Sequence, residues 1–323
     1  MIKSKRRSVV GYILFQGIKI ESANALSGNL IYGTPSLAGI KGAFHAMSRK
    51  LMVDKQTAAL DIRLRGVMIA CHEHRMYASR ADSFRDYHFT QQKPSPSTAG
   101  DLAKMSVGTL PSIIQQAQCY MNMSFVVEVV SDCALAAYQQ DILVQRAAQL
   151  IQHQRIAGGN VRPFSNSDKV TYIELSELDS LPYKIPKCHI LTDASDVMLD
   201  LTKRYPDLSP TDVLIDVCSN HHFPSKADNS GISWSSTRIS THYGWVVPLM
   251  VGYHGITQKF EAGLLENSRT NESDSQYVES VYSLGKWTDA HKLQLEGNLK
   301  TAFWYYDYQP DKSLYLITTN QTK

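Results

Sequence analysis

Residues 12–175 predict an α+β fold, a ferredoxin-like module running strand, helix, strand, strand, helix, strand. Apolar period switches between two and about 3.6 residues along this stretch, and the excursion between the second and third strands is far too long for a hairpin turn. A first strand is predicted over residues 12–20, with Leu14, Ile18 and Ile20 on one face. Thr34 and Pro35 read as an N-cap and a first-turn proline, after which Leu37, Ile40, Phe44, Met47 and Leu51 recur at helical spacing. The second strand, residues 64–74, carries Val67, Ile69 and Cys71 at period two. Residues 123–130 are apolar enough for a strand buried on both faces. Asp132 can cap a second helix with the stripe Leu143, Ala147, Leu150 and Ile151, and Gly158-Gly159 can stop it. Residues 170–175 make the fourth strand.

Two regions follow. Residues 1–176 hold the module, a kind shared by many RNA-recognition domains, with residues 75–122 protruding as an arm around Gln91-Gln92-Lys93-Pro94-Ser95-Pro96-Ser97. Residues 177–323 read as a mixed α/β region of short helices and aromatic strands, and no internal repeat stands out.

At 323 residues and 43% hydrophobic, the chain can bury a sizeable core. It contains no apolar run near the roughly 20 residues a bilayer requires, so no membrane association is expected. Lys3, Lys5, Arg6 and Arg7 lead into a strand rather than a signal-peptide core, which predicts a cytoplasmic protein. Five scattered cysteines suit reduced thiols. Charge is uneven: residues 1–93 hold 15 Lys+Arg against 6 Asp+Glu, whereas the remainder holds 18 against 24. The first part can therefore attract polyanions, although the same charges also suit a solvated surface.

Candidate binding residues follow from chemistry. Arg155 with Gly158, Gly159 and Asn160 joins a cation to main chain that a phosphate can approach; the competing role is a helix cap. Ser22, Asn24 and Ser27 offer short polar groups for base edges and 2′-hydroxyls, or for turn bonding. Lys41, His45 and Arg49 lie four apart on the first helix as a basic stripe opposite its apolar face. Arg80, Phe84, Arg85 and Phe89 interleave cations with rings that can stack on bases or pack in a core. Trp304-Tyr305-Tyr306 and Tyr308 suit a core or a protein interface.

Other classes fare less well. A metal-independent endoribonuclease could use His45 as base, but needs an acid and a phosphate stabiliser beside it. Neither Cys71-His72-Glu73-His74 nor Cys218 with His221-His222 supplies paired zinc-ligand clusters, and strand alternation sets Cys71 opposite His72 and His74. A protein-only scaffold sits poorly with the basic first part.

Several segments together resemble the Cas-five-type second subunits of type I-F (Csy) CRISPR complexes, members of the repeat-associated RNA-binding superfamily. They are Ser22-Ala23-Asn24-Ala25-Leu26-Ser27, Tyr32-Gly33-Thr34-Pro35-Ser36 with Phe44-His45-Ala46, and Arg155-Ile156-Ala157-Gly158-Gly159-Asn160. Further on come Gly244-Trp245-Val246-Val247-Pro248 with Gly252-Tyr253, Ser283-Leu284-Gly285-Lys286-Trp287, and Trp304-Tyr305-Tyr306 before Pro310-Asp311-Lys312-Ser313-Leu314-Tyr315. The resemblance implies a non-catalytic subunit without cofactor. It would hold the 5′ repeat-derived handle of the CRISPR RNA (crRNA), pair with the large subunit, and abut the first backbone subunit through its thumb, with target DNA nearby. In minimal variants of such systems the corresponding protein reads the DNA flanking motif itself.

Overall fold

The computed structural model describes residues 7–82, 85, 87–89, 91–92, 116–165, 167–227, 231–266, 268 and 270–319. Its first part comprises β1 (Ser8–Asn24), α1 (Leu37–Val53), β2 (Arg63–Met76), β3 (Gln116–Ser131) and α2 (Ala137–Gln152). A hairpin of β4 (Arg155–Ile156) and β5 (Gly159–Val161) then leads to β6 (Val170–Ile173). Side by side these strands lie in the order β6, β1, β3, β2, all antiparallel. Alternation along β1 feeds two cores: Ile13 and Phe15 meet α1 and α2, while Tyr12 and Leu14 face the other side. Phe44 from α1 sets its ring 5.3 Å from Phe15 and 5.1 Å from Phe125. On the opposite face Tyr12 stacks on Phe303 at 5.4 Å, and β3 is buried on both sides as its apolar run predicts, with Phe125 in the first core and Val126 in the second.

The remaining strands extend this sheet instead of forming a separate one. From β7 (His189–Asp193), His189 and Ile190 pair with Cys71 and Ala70 of β2. Beyond the helices α3 (Ser195–Arg204) and α4 (Pro210–Cys218), β8 (His221–Ala227) and β9 (Gly231–Thr237) form a ribbon apart from the main sheet. The sheet then runs outward from β7 through β11 (Val278–Asp289), β10 (Val246–Gly255), β13 (Leu314–Thr318) and β12 (Tyr305–Gln309), and with the short strand Gln91–Gln92 paired to β3 it holds 12 antiparallel strands among the described residues. A third core of Leu201, Val213, Val217 and Leu284 seats α3 and α4 on it. Among the described residues no helix is long and apolar enough to cross a membrane.

Three cap expectations are corrected. Helix α1 starts at Leu37, because Ser36 holds extended φ/ψ and its Oγ accepts from Gly39 N at 3.1 Å, while Thr34 and Pro35 are buried in the preceding turn. Ser36→Ala should therefore lower stability by about 1 kcal/mol, read as a reduced urea midpoint, and an unchanged midpoint refutes the cap. Asp132 does not cap α2; it faces Arg7 at 3.7 Å, and Gln139 Oε1 accepts from Ala136 N at 2.9 Å at the actual start. Gly158 and Gly159 do not stop α2, which ends at Gln152; they belong to the β4–β5 hairpin.

Two bulges in β2 redirect side chains. At the first, between Leu64 and Val67, Arg65 and Gly66 leave the ladder. Lys41 Nζ donates to the freed Arg65 carbonyl, Gly66 N donates to Glu128 Oε2 at 3.1 Å, and Tyr305 OH donates to Glu128 Oε1 at 2.8 Å. Val67 and Trp304 exchange backbone hydrogen bonds at 3.1 and 2.9 Å, tying the last strands to β2. Lys41 is only 3% exposed, so the expected basic stripe opposite the apolar face of α1 is corrected: His45 and Arg49 reach solvent and Lys41 does not. The second bulge, between Cys71 and Glu73, shifts the alternation by one. His72 turns to Ser124 Oγ at 2.6 Å, while Cys71 and His74 line one cavity, contrary to their expected opposition.

Candidate nucleic-acid interface

At the far end of β1, exposed cations gather beside open main chain. Arg155 pairs with Asn160 and Ile156 with Gly159, leaving Ala157 and Gly158 as a two-residue turn with φ of 47° and 81°. Such turns need positive φ at both positions. Gly158 adopts it without a Cβ, whereas Ala157 holds it against a steric cost. The hairpin lies flat on β1: Asn24 N donates to Ala157 O at 2.8 Å, and Ile20 and Glu21 pair with Val161 and Asn160. Contact is close enough that a Cβ on Gly159 would stand 2.7 Å from Ile20 Cγ2 and 2.8 Å from Ala23 Cα. Arg155, Gly158 and Asn160 stay exposed on the outer side.

Next to the hairpin, Lys19, Arg162 and Lys169 line a cleft of about 180 Å³ together with Phe164, which is half-buried against the core. Arg162 N donates to Lys19 O at 2.8 Å, and its guanidinium faces Glu21 at 3.8 Å. Lys169 Nζ donates to Gly17 O at 2.9 Å. Nearby, Arg75 lies 5.8 Å from the centre of the Tyr120 ring, whose hydroxyl is pushed up first by burial and then by Glu73. Cations around an aromatic ring can neutralise phosphates while offering a face for a base. Sequence reasoning missed this cluster, since residues 19 and 162 meet only through the pairing of β1 with β5 and no local pattern signals it.

The other predicted residues divide. Ser22, at φ 55°, and Asn24 lie beside the hairpin, whereas Ser27 N donates to Ile31 O in the following loop. Asn24 Oδ1 accepts from Leu26 N at 2.9 Å, and Ser27 is buried, its Oγ without a hydrogen-bond partner. His45 lies edge-on to Tyr306 at 6.0 Å, in a cavity of about 160 Å³ shared with Lys41 and Arg65. Arg49 is exposed further along α1. Arg80 covers the Tyr87 ring at 4.9 Å, and Arg85, 70% exposed, pairs with Asp82 at 3.2 Å. Phe89 sets its ring 4.2 Å from Tyr32, and Phe84 lies outside the described residues. Among the described residues no three His, Cys, Asp or Glu side chains gather to hold a metal. Burial pushes the thiols of Cys71, Cys119 and Cys218 up to about 11 and that of Cys188 to about 12.

Comparison with known proteins agrees with the segments noted in the sequence. A family model for CRISPR-associated protein Csy2 matches residues 13–317, nearly the whole chain. CRISPR-associated protein Csy2 of Pseudomonas aeruginosa (strain UCBPP-PA14) is 24% identical over 330 aligned residues, which cover 95% of this chain and 94% of that relative. With the match running through every described strand of the main sheet, the chain belongs to the Csy2 family of CRISPR-associated proteins.

Proposed function

We propose that this chain is a non-catalytic subunit of a type I-F CRISPR surveillance complex that grips the 5′ repeat-derived handle of the crRNA. The observation that carries the reading is the β4–β5 hairpin: its exposed Arg155 and Asn160 and the bare backbone of Gly158 are clamped onto β1 beside Lys19, Arg162, Lys169 and Phe164. Rigid main chain with cations suits phosphates, and Phe164 suits a base splayed from a single strand. The strand order β6, β1, β3, β2 with α1 and α2 on one face supports a ferredoxin-like module of the split βαβ kind. As in the resembling subunits, residues 75–122 would act as a thumb toward the first backbone subunit, and the chain would cap the backbone with the large subunit, near target DNA.

Measured with the large subunit present, handle-RNA affinity should fall steeply with salt. Arg155→Ala should weaken binding and reduce the slope of log affinity against log salt by roughly 0.7, the share of one single-strand phosphate. Salt-insensitive binding, indifferent to Arg155, refutes the reading.

One observation favours a second reading, a metal-independent endoribonuclease: His45 shares its cavity with Lys41, Arg65 and Tyr306. Against it, the Lys41 ammonium is already engaged by the Arg65 carbonyl and lies 4.9 Å from the Tyr306 ring centre. Repeat RNA incubated with the purified protein should stay intact; a product lost in His45→Ala reverses the assignment.

A further inference from the structure

A cavity of about 330 Å³ opens between the loop preceding α1 and the strands β10 and β11. Its walls are flat. Trp245, 56% exposed, stands 6.4 Å from Trp287 between ring centres, with Tyr32 and Pro248 also lining the space. Trp245 is held at an angle by the edge of His189 at 5.1 Å, and Tyr32 by Phe89 at 4.2 Å. Thr34 and His74 are the side chains with oxygen or nitrogen heteroatoms besides Tyr32 and the tryptophans among the described lining residues, and His74 holds its Nε2 buried without a hydrogen-bond partner. Burial lowers the His74 pKa, so at neutral pH the imidazole is uncharged, and Nε2 can donate or accept according to tautomer. Among the described residues no Lys, Arg, Asp or Glu side chain lines the cavity.

We propose that this cavity receives one unstacked nucleobase, held between the Trp245 side and the Tyr32 loop with its polar edge toward Thr34 and His74. A pocket without charges selects a neutral group, which excludes phosphate as the part that enters. Aromatic walls with a few uncharged polar groups suit a planar heterocycle with a hydrogen-bonding edge. Position agrees as well. The loop carrying Tyr32 continues directly from Asn24, on which the β4–β5 hairpin docks, and Gly33 N donates to Ala25 O at 2.8 Å. The loop that lines the cavity is thus continuous with the strand that carries the hairpin. The inference rests on the RNA-holding function proposed above and adds a base-specific seat to it.

The test uses the complex with the large subunit and handle RNAs in which one base at a time is replaced by an abasic sugar. In the wild type, one abasic position should lose about ten- to hundredfold in affinity, the worth of one stacked base, with the others losing less. In Trp245→Ala that same position should cost little further, and His74→Phe, which fills the floor, should reproduce the loss. Steep salt dependence with every abasic position independent of both variants overturns the seat and leaves the RNA-holding function standing. Absence of handle-RNA binding overturns both. A photo-crosslinking residue in place of Tyr32 should couple to the RNA; coupling to the large subunit alone overturns the proposal in favour of a protein side chain as occupant.

Discussion

Glu128→Ala is expected to lower the unfolding free energy by about 3–5 kcal/mol, the range for breaking a buried charged network from one side. Glu128 is 4% exposed and closes the first bulge of β2, accepting from Gly66 N and Tyr305 OH. Alanine would take the acceptor from the buried Gly66 N–H and from Tyr305 OH and remove the carboxylate that supports the Lys41 charge. Glu128→Gln keeps an acceptor oxygen in place and should cost less than half as much. Lys41 behaves as the other half of this clamp. Burial first, with Arg65 adding to it, lowers its pKa to about 8, against an opposing pull from Glu128. Because the folded value lies below the unfolded 10.5, the unfolded chain holds the proton longer between these values, and the Lys41 contribution to stability rises with pH across about 8 to 10.5. The stability of wild type relative to Lys41→Met should therefore rise over that window in urea titrations. Shared cysteine and tyrosine titrations cancel in the difference. A flat difference, or a Glu128→Ala midpoint equal to wild type, would remove the clamp from the account.

The clamp also marks where periodicity stops being informative. Strands and helices with an unbroken apolar pattern were legible: β3 reads as buried on both faces, and α1 shows its stripe from Leu37 to Leu51. What escapes the pattern arises from pairing at a distance. A bulge flips every side chain beyond it, which is why Cys71 and His74 share a cavity when simple alternation separates them. Lys41 looks like a surface cation because its spacing matches Arg49; nothing local reveals that β2 releases the Arg65 carbonyl beneath it. At the candidate interface, Arg155 to Asn160 stands out through its glycines, though its role in a hairpin instead of a helix cap depends on two positive φ values that composition alone does not specify. Lys19, Arg162 and Phe164 carry no signal until β1 and β5 pair. The cation and ring interleaving of residues 80–89 is realised differently, with Arg80 over Tyr87 and Phe89 against Tyr32.

Three neighbouring residues of the β4–β5 hairpin should respond in opposite senses. Gly159→Val is expected to cost about 1–3 kcal/mol, as overpacking does, because the new Cβ meets Ala23 backbone atoms at 2.8 Å that no rotamer change can move. For β5 to accept valine it must lift from β1, breaking the pair Ile20–Val161 and the bond from Asn24 N to Ala157 O. Arg155 and Asn160 then lose their fixed placement, and handle-RNA affinity should fall by about ten- to hundredfold, the worth of one or two charge-assisted hydrogen bonds. Gly158→Ala has room, its nearest foreign atom standing 3.6 Å away, and should cost only the left-handed strain of about 1–2 kcal/mol while keeping the hairpin seated. Ala157→Gly should leave stability unchanged or raise it by up to about 1 kcal/mol, since Ala157 already bears positive φ. Circular dichroism melts alongside RNA titration at a temperature where every variant is folded separate the two effects. If Gly159→Val binds handle RNA as tightly as Gly158→Ala does, the hairpin is not what presents the phosphate-binding surface, and the cations around Phe164 alone would have to hold the strand.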